Sequence, residues 1–366
     1  MKILIIGGTG ILSTDFTNKT TSCDNEVYIL NRGRNREFIN NKAKLIVSDI
    51  RKETVEEIRE KIKDNFDVVV DFLTFDILQL KKVLKIIDNK FHQYVFISSA
   101  TVYKKKNDAE VISEKTDVGN DKWSYAYNKY LCEQYLKKLN INYTIIRPYV
   151  TYGDSRIPFP IIPDGYHYTL IKRILENKPI VLYNDGSAIC TITHTIDFAE
   201  ILYKLLCNEN AYRNIFNITS NCIQSWKTVY LTICNILDRN PNYISVDLDN
   251  INKYMPEFVD LLVGDKGTDM VFDNSKVIKA IGGYTFTIDL ETGLKRTIDF
   301  YLKNDFMKKI DYKWDGRVDY MIKKMTGLHL ECLHSDFKEK KNNKMKYYIM
   351  KYFLTRNVFD IVKRIK

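Results

Sequence analysis

No run of apolar residues in this 366-residue chain approaches the ~20 that a helix needs to cross a bilayer. The opening apolar stretch, Ile3 to Ile6, ends at once in glycine and is too short for the core of a secretory signal. The seven cysteines (23, 132, 190, 207, 222, 234, 332) form no Cys-x-x-Cys pair and are odd in number. That argues against a disulfide frame or a zinc site and for reduced thiols in the cytoplasm, so no metal is expected. No internal repeat is visible. What is present, 45% hydrophobic and 28% charged residues, suits a soluble globular protein with one large domain or two modest ones.

The formal net charge of +10 is unevenly placed. From Lys338 to Lys366 ten Lys or Arg stand against Glu339 and Asp360, which leaves about +2 for the rest of the chain. The body is therefore not a nucleic-acid surface by composition, and the basicity belongs to the tail.

The first half alternates short β-like runs with amphipathic stretches. Strands are expected at 2–6, 26–30, 44–47, 67–72, 93–98 and 142–147, and helices at 54–63 and 78–88. Apolar strands with helical crossovers predict an α/β fold, a doubly wound parallel sheet covered on both faces. The texture changes after Arg147-Pro148, and Tyr152 to Tyr168 reads as irregular loops. We expect a dinucleotide-binding domain over 1–150 and a smaller mixed substrate-binding region over 151–304, with some chain exchange between them. A basic helical extension over 305–366 follows.

Two motifs carry the chemistry. Gly-Gly-Thr-Gly (7–10) follows the first strand, where glycine permits a tight turn and close approach to a pyrophosphate seated on the next helix. Ser13 takes the third small position, which departs from the three-glycine form. At the end of strand two Asn31 stands where an acid usually holds the ribose 2′-hydroxyl, and Arg32 follows it. The lost carboxylate and the added guanidinium favour NADP(H) over NAD(H). Asp49 and Ile50 are placed to flank an adenine, with Asp49 as a helix N-cap the structural alternative.

The second motif is Ser-Ser-Ala-Thr-Val-Tyr (98–103) with Tyr125-x-x-x-Lys129 downstream. Tyr125 and Lys129, four apart on a predicted helix, share a face. A nearby ammonium favours phenolate, so Tyr125 can move a proton as hydride moves at carbon, while Ser99 binds the same oxygen. Tyr127 and Tyr130 read as packing residues.

Taken in order, Gly-Gly-Thr-Gly-Ile-Leu-Ser (7–13), Ser-Asp-Ile (48–50), Ile-Ser-Ser-Ala-Thr-Val-Tyr (97–103), Tyr-Ala-Tyr-Asn-Lys (125–129) and Ile-Arg-Pro-Tyr (146–149) resemble the extended short-chain dehydrogenase/reductase family, the nucleotide-sugar epimerases and dehydratases on a Rossmann sheet. The resemblance runs from Met1 to about Leu302. It implies a catalytic set of Ser99, Tyr125 and Lys129. It implies a dinucleotide held by Gly7, Thr9, Gly10, Ile11, Leu12, Asn31, Arg32, Asp49, Ile50, Phe72, Leu73, Ser98, Lys129, Pro148 and Tyr149. It places Thr101, Val150, Arg156 and Cys190 at the substrate, an activated sugar such as a sugar nucleotide in glycan biosynthesis. It also implies a homodimer through a helix pair that includes Tyr125.

The departures narrow the reaction. Dehydratases of the group carry Asp-Glu where this chain has Ala100-Thr101, so epimerase or ketoreductase chemistry is expected in place of dehydration. Val150 replaces an Asn that binds the sugar nucleotide, and Cys190 replaces an Arg that grips the diphosphate. The alternatives to a sugar enzyme are a non-catalytic nucleotide- or RNA-binding protein on the same fold, and a reductase of non-sugar ketones. In the tail, Tyr347, Tyr348, Ile349, Met350, Tyr352, Phe353, Leu354, Phe359, Ile361, Val362 and Ile365 interleave with Lys and Arg. Such a helix can dock on the catalytic body or a second subunit, or lie on the inner membrane surface, with nucleic acid disfavoured.

Overall fold

The computed structural model describes residues 1–34, 37–104, 111–334 and 341–352. The chain divides into two units with interleaved sequence. The first holds Met1–Gly153, Cys190–Ile223 and Asp269–Leu290. The second holds Asp154–Ile189, Gln224–Thr268 and the described part of Glu291–Lys366.

The first unit is built on a seven-stranded parallel sheet. Its strands are β1 (Lys2–Ile6), β2 (Glu26–Asn31), β3 (Lys44–Val47), β4 (Phe66–Asp71), β5 (Phe91–Ile97), β6 (Tyr143–Pro148) and β7 (Asn214–Ile218), in the spatial order β7-β6-β5-β4-β1-β2-β3. The helices are α1 (Ile11–Ser22), α2 (Val55–Lys61), α3 (Ile77–Ile87), α4 (Ser124–Leu136) and α5 (Thr195–Lys204). Successive strand side chains point to opposite faces, and both faces are covered. Ile3, Ile5, Val68, Val70, Val95 and Ile97 pack with Phe16 of α1 and Phe198, Ile201 and Leu202 of α5. Leu4, Ile6, Val69, Tyr94, Phe96 and Ile145 pack with Ile58, Leu80, Val83, Cys132 and Leu136 of α2, α3 and α4. This double burial is why the strands read as unbroken apolar runs. The strand order reverses between β1 and β4, which opens a crevice beyond the carboxyl ends of the strands, where such sheets bind ligands.

In the second unit Ile180–Tyr183 pairs in parallel with Tyr243–Val246. An apolar cluster joins Ile161, Val181 and Val246 to Trp314, Val318 and Met321 of α6 (Tyr312–Thr326). Beside it lies a buried ionic group. Arg173 pairs with Asp315 and, at 2.8 Å, with Asp319, while Lys178 reaches Asp315 at 2.9 Å and Asp319 at 2.7 Å. Two cations face two carboxylates, which is the condition under which buried charge is tolerated.

The extension supplies part of that group. Its helix α7 (Lys341–Tyr352) packs on α6, and the buried Tyr347 hydroxyl donates to Asp319 Oδ2 at 2.5 Å. Met350 is buried with it, and Met345, Tyr348 and Tyr352 are exposed. The tail residues Phe353, Leu354, Phe359, Ile361, Val362 and Ile365 lie outside the described residues. Among the described residues no helix is long and apolar enough to cross a membrane, and no group of three or more His, Cys, Asp or Glu is placed to hold a metal.

Candidate active site

After β1 the chain turns through Gly7 at φ +88°, a left-handed conformation that glycine adopts without cost to a Cβ. A Cβ there would stand 2.4 Å from Leu73 Cγ, so side-chain contact and backbone both demand glycine. Ser13 Oγ donates to Gly7 O and accepts from Gly10 N, each at 2.8 Å, so the departure from a third glycine serves to hold the loop. Helix α1 starts with no side-chain cap and no acid in its first turn. The amide-rich, positive end of the helix at the exposed Gly10 turn fits a pyrophosphate, which Thr9, Gly10, Ile11 and Leu12 would hold. Gly7→Ala is expected to cost about 2–3 kcal/mol and to weaken dinucleotide binding, read by thermal melting and by titration with cofactor.

Asn31 closes β2 with both ends of its amide engaged. Nδ2 donates to Thr9 Oγ1 at 3.2 Å, and Oδ1 accepts from Gly33 N at 2.8 Å. The amide donates in one direction and accepts in the other, whereas a carboxylate here could only accept, with the Thr9 hydroxyl turned to donate. Arg32 and Arg34 are exposed on either side of Gly33. At the end of β3, Asp49 Oδ1 accepts from Arg51 N at 3.0 Å, and Ile50 is half-buried against the apolar cluster. Asp49 is not the N-cap of α2. Thr54 is, accepting from Glu57 N while Glu57 returns to Thr54 N at 2.7 Å. Asp49 is too far from the first helical turn and closes its own loop.

The loop after β4 is set by the buried Asp71. Its Oδ1 accepts from Leu73 N at 2.8 Å and Thr74 N at 3.1 Å, and its Oδ2 from Thr74 Oγ1 and Tyr94 OH, both at 2.6 Å. Phe72 is half-buried with its ring 5.7 Å from Phe16, and the Leu73 side chain lies against Gly7. The Thr74 carbonyl accepts from Lys129 Nζ at 2.6 Å, and Ile97 O at the end of β5 accepts a second bond from it at 2.7 Å. Burial pushes the Lys129 ammonium down to about 8, against the opposing pull of Asp71, Cys132 and Glu133. Two of its three N–H groups are thus committed, and one remains for a phenol or a ribose hydroxyl.

Ser99 follows β5 two residues after Ile97. Its Oγ accepts from Thr101 Oγ1 at 2.9 Å and Thr101 N at 3.3 Å, so its own proton is directed to another acceptor. Tyr125, in the first turn of α4, sets its ring 4.9 Å from Trp123 and 6.1 Å from Phe75. The fold therefore gathers Ser99, Thr101, Tyr125 and Lys129 at the carboxyl ends of β4 and β5. Tyr127 is 41% exposed with its ring beside Tyr130, so it serves no core packing.

The residues past β6 are distributed differently. Pro148 ends the strand, and the buried Tyr149 ring lies 4.6 Å from Phe272. Val150 adopts φ +35°, a left-handed conformation that strains a β-branched residue. Cys190 is buried and bridges Met270. Arg156 is exposed and belongs to the second unit.

The sequence model of the NAD dependent epimerase/dehydratase family matches residues 3–219. The chain belongs to that family. Its sheet and helices match those of UDP-glucuronic acid 4-epimerase from Bacillus cereus, solved in complex with NAD, at a TM-score of 0.66 and 18% identity over 84% of this chain and 100% of that one. They match dTDP-glucose 4,6-dehydratase from Bacillus anthracis, also in complex with NAD, at a TM-score of 0.67 and 18% identity over 84% and 98%. At such identity these likenesses speak for the fold. In sequence the chain is 25% identical over 230 residues to the chloroplast stem-loop binding protein of 41 kDa b from Arabidopsis thaliana. That stretch covers 60% of this chain and 58% of the relative, so the chain spans little more than half of that protein's length.

In this epimerase/dehydratase family member, sequence reasoning missed what holds α4 in place. Glu133 lies one turn beyond Lys129 and is fully buried. It accepts from Arg147 Nε at 2.9 Å and Nη2 at 2.5 Å, and from Ser98 Oγ at 2.6 Å. Ser98, expected at the cofactor, thus spends its hydroxyl on the helix. The Arg147 guanidinium also lies 4.6 Å from the Tyr103 ring centroid. Burial alone would lower Arg147, yet the charge and hydrogen bonds of Glu133 raise it above its ordinary value. Burial pushes the Tyr103 phenol up to about 12, and it donates to Asn217 Oδ1 at 2.7 Å. The signal that could have found this group is the i, i+4, i+8 spacing of Tyr125, Lys129 and Glu133 on one helix face.

Proposed function

We propose that this chain is an NAD(P)-dependent epimerase or ketoreductase that acts on a sugar nucleotide or a related activated sugar, in glycan biosynthesis. The observation that carries the reading is the grouping of Ser99, Tyr125 and Lys129 on the β4 and β5 ends of the same sheet that presents the Gly7–Gly10 turn after β1. A nicotinamide bound there supplies or accepts hydride at a sugar carbon. Tyr125 takes the proton of the sugar hydroxyl, or returns it in the reverse direction. Lys129 favours the ionised phenol by its charge, and the Ser99 hydroxyl donates to the same sugar oxygen. Gly7, Thr9, Gly10, Ile11 and Leu12 hold the phosphates, with Asp49 and Ile50 at the adenine. Dehydration is set aside because Ala100 and Thr101 carry no group that titrates near neutrality, and the Thr101 hydroxyl already donates to Ser99.

The exposed Arg32 and Arg34, with an amide at 31 in place of a carboxylate, support NADP(H) over NAD(H). The test is to unfold freshly purified protein and identify the released nucleotide by mass spectrometry, and to repeat it after incubation with both dinucleotides. NADP(H) in near-stoichiometric amount is the expected result. NAD(H) alone would overturn the Arg32 reading and leave the enzyme, whereas a protein that takes up neither would overturn the enzyme. Retention through purification would mark an epimerase, and uptake only on addition an exchanging reductase.

One observation favours a second reading. The curated relative is named for stem-loop binding, so an RNA-binding role is carried as the alternative. Salt-dependent binding of a stem-loop RNA by a protein that takes up no dinucleotide would establish it.

A further inference from the structure

Lys129 Nζ sits between two rings, 4.9 Å from the centroid of Phe96 and 4.9 Å from that of Phe75. Phe96 is fully buried beneath the ammonium, whereas Phe75 is 37% exposed and Lys129 only 2%. Phe75 is thus the solvent-exposed one of the two rings that flank the ammonium. Its ring is also 6.1 Å from that of Tyr125, tilted by 49°. The backbone that mounts it is held from both sides. Asp71 fixes Leu73 and Thr74 behind it, and ahead of it Phe75 N donates to Gln79 Oε1 at 3.1 Å while Gln79 N donates to Asp76 at 2.9 Å. A half-exposed phenylalanine on a loop braced in this way adds little to the core, but it touches both members of the candidate proton-transfer pair.

We propose that Phe75 is a positioning residue of the Tyr125–Lys129 pair: its ring closes the outer side of the Lys129 ammonium against water and sets the Tyr125 ring in place. With Thr74 O and Ile97 O taking two N–H groups, the shield leaves the third to a reacting partner in place of solvent. The functional meaning rests on the oxidoreductase reading above. The physical claim does not, and its test uses neither cofactor nor sugar.

The experiment is competitive labelling of the full-length, cofactor-free protein with acetic anhydride across a range of pH. Mass spectrometry of peptides then gives the labelling midpoint and plateau rate of Lys129 relative to the exposed Lys52. The groups that act on Lys129 are Asp71 on β4 and Cys132 and the Arg147-paired Glu133 on α4. Around them stand Tyr94 on β5, bonded to Asp71, Asp76 before α3, which acts on Cys132, and Tyr125 on α4, whose ring lies beside Phe75. All are unchanged in Phe75→Ala. Removing the ring admits water, which favours the charged amine. The lost ring–cation attraction works the other way, but water solvates an ammonium better than a ring face does.

The midpoint is therefore expected to rise from about 8 toward the ordinary lysine value of 10.5, and the plateau rate to rise about tenfold as the reagent gains access. Phe75→Leu, which keeps apolar bulk, is expected to restore most of both. Phe75→Val runs beside them and reads the same two quantities, so that failure of the alanine variant to fold leaves the test standing. Truncated variants with the parent's midpoint and rate would overturn the proposal, as would a rise shared equally by all lysines. Failure here removes the role of Phe75 alone, whereas failure of dinucleotide uptake removes the enzymatic reading alone.

Discussion

Tyr125→Phe is expected to lower turnover by about 10²–10⁴-fold while leaving dinucleotide affinity within about threefold. The substitution removes one oxygen and its proton. The ring contacts with Trp123 and Phe75 stay, as does the Lys129 anchorage on Thr74 O and Ile97 O, because none involves the hydroxyl. The loss should therefore fall on kcat, since an interaction made only as the proton moves contributes nothing to ground-state binding. The check is a panel of UDP- and dTDP-sugars whose products are separated by chromatography, with nicotinamide absorbance added where cofactor is consumed and cofactor affinity measured by titration. Undiminished turnover in the variant would sink the proton-transfer role of Tyr125.

The second large effect is on stability. Arg147→Met leaves Glu133 buried with the Ser98 hydroxyl as its remaining partner and removes the guanidinium from the Tyr103 ring. Breaking a buried pair from one side costs about 3–5 kcal/mol, because the surviving charge is left without compensation. For a unit of this size that corresponds to a fall in Tm of roughly 6–20 °C. Replacing both partners, as Glu133→Met with Arg147→Met, removes the stranded charge and should recover most of the loss. Thermal melts of the two single variants and the double variant measure the coupling directly. A double variant less stable than either single one would show that the pair stabilises through more than mutual neutralisation. Cofactor binding by the double variant would show whether α4 keeps its place without the ionic tie.

The parts of the fold that were legible were those where one physical demand dominates. β1 to β6 lie within about two residues of their expected positions, because a strand covered on both faces must be apolar along its whole length. β7 was not expected. Asn214 and Asn217 interrupt its apolar pattern, and its partner β6 lies some seventy residues earlier, so nothing local marks it. Helix α4 was found only through Tyr125 and Lys129. Its inner face includes Lys129 and Glu133, which a pattern of polarity assigns to solvent. The same rule hid Arg147 and Glu133, since charge reads as exposure until a partner is seen. At the site, the glycines and the Ser99 group could be placed from spacing. That Asn31 bonds in two directions, that Thr74 supplies a carbonyl to Lys129, and that Phe75 covers it depend on loops whose shape is set by contacts distant in sequence.

The interleaving of the two units bears on how the chain is made. Emerging from the ribosome N-terminus first, the first 150 residues contain β1 to β6 but not β7, so β6 waits as an open edge, of the kind that invites mispairing, until residues 214–218 appear. By then Asp154–Ile189 has been extruded without Gln224–Thr268, and the first unit still lacks Asp269–Leu290. The second unit waits longer, because Asp319 receives its phenol only once Tyr347 is synthesised. Both halves thus mature late and close together in time, and the last turns of the described chain act as the closing latch of a body begun almost two hundred residues earlier.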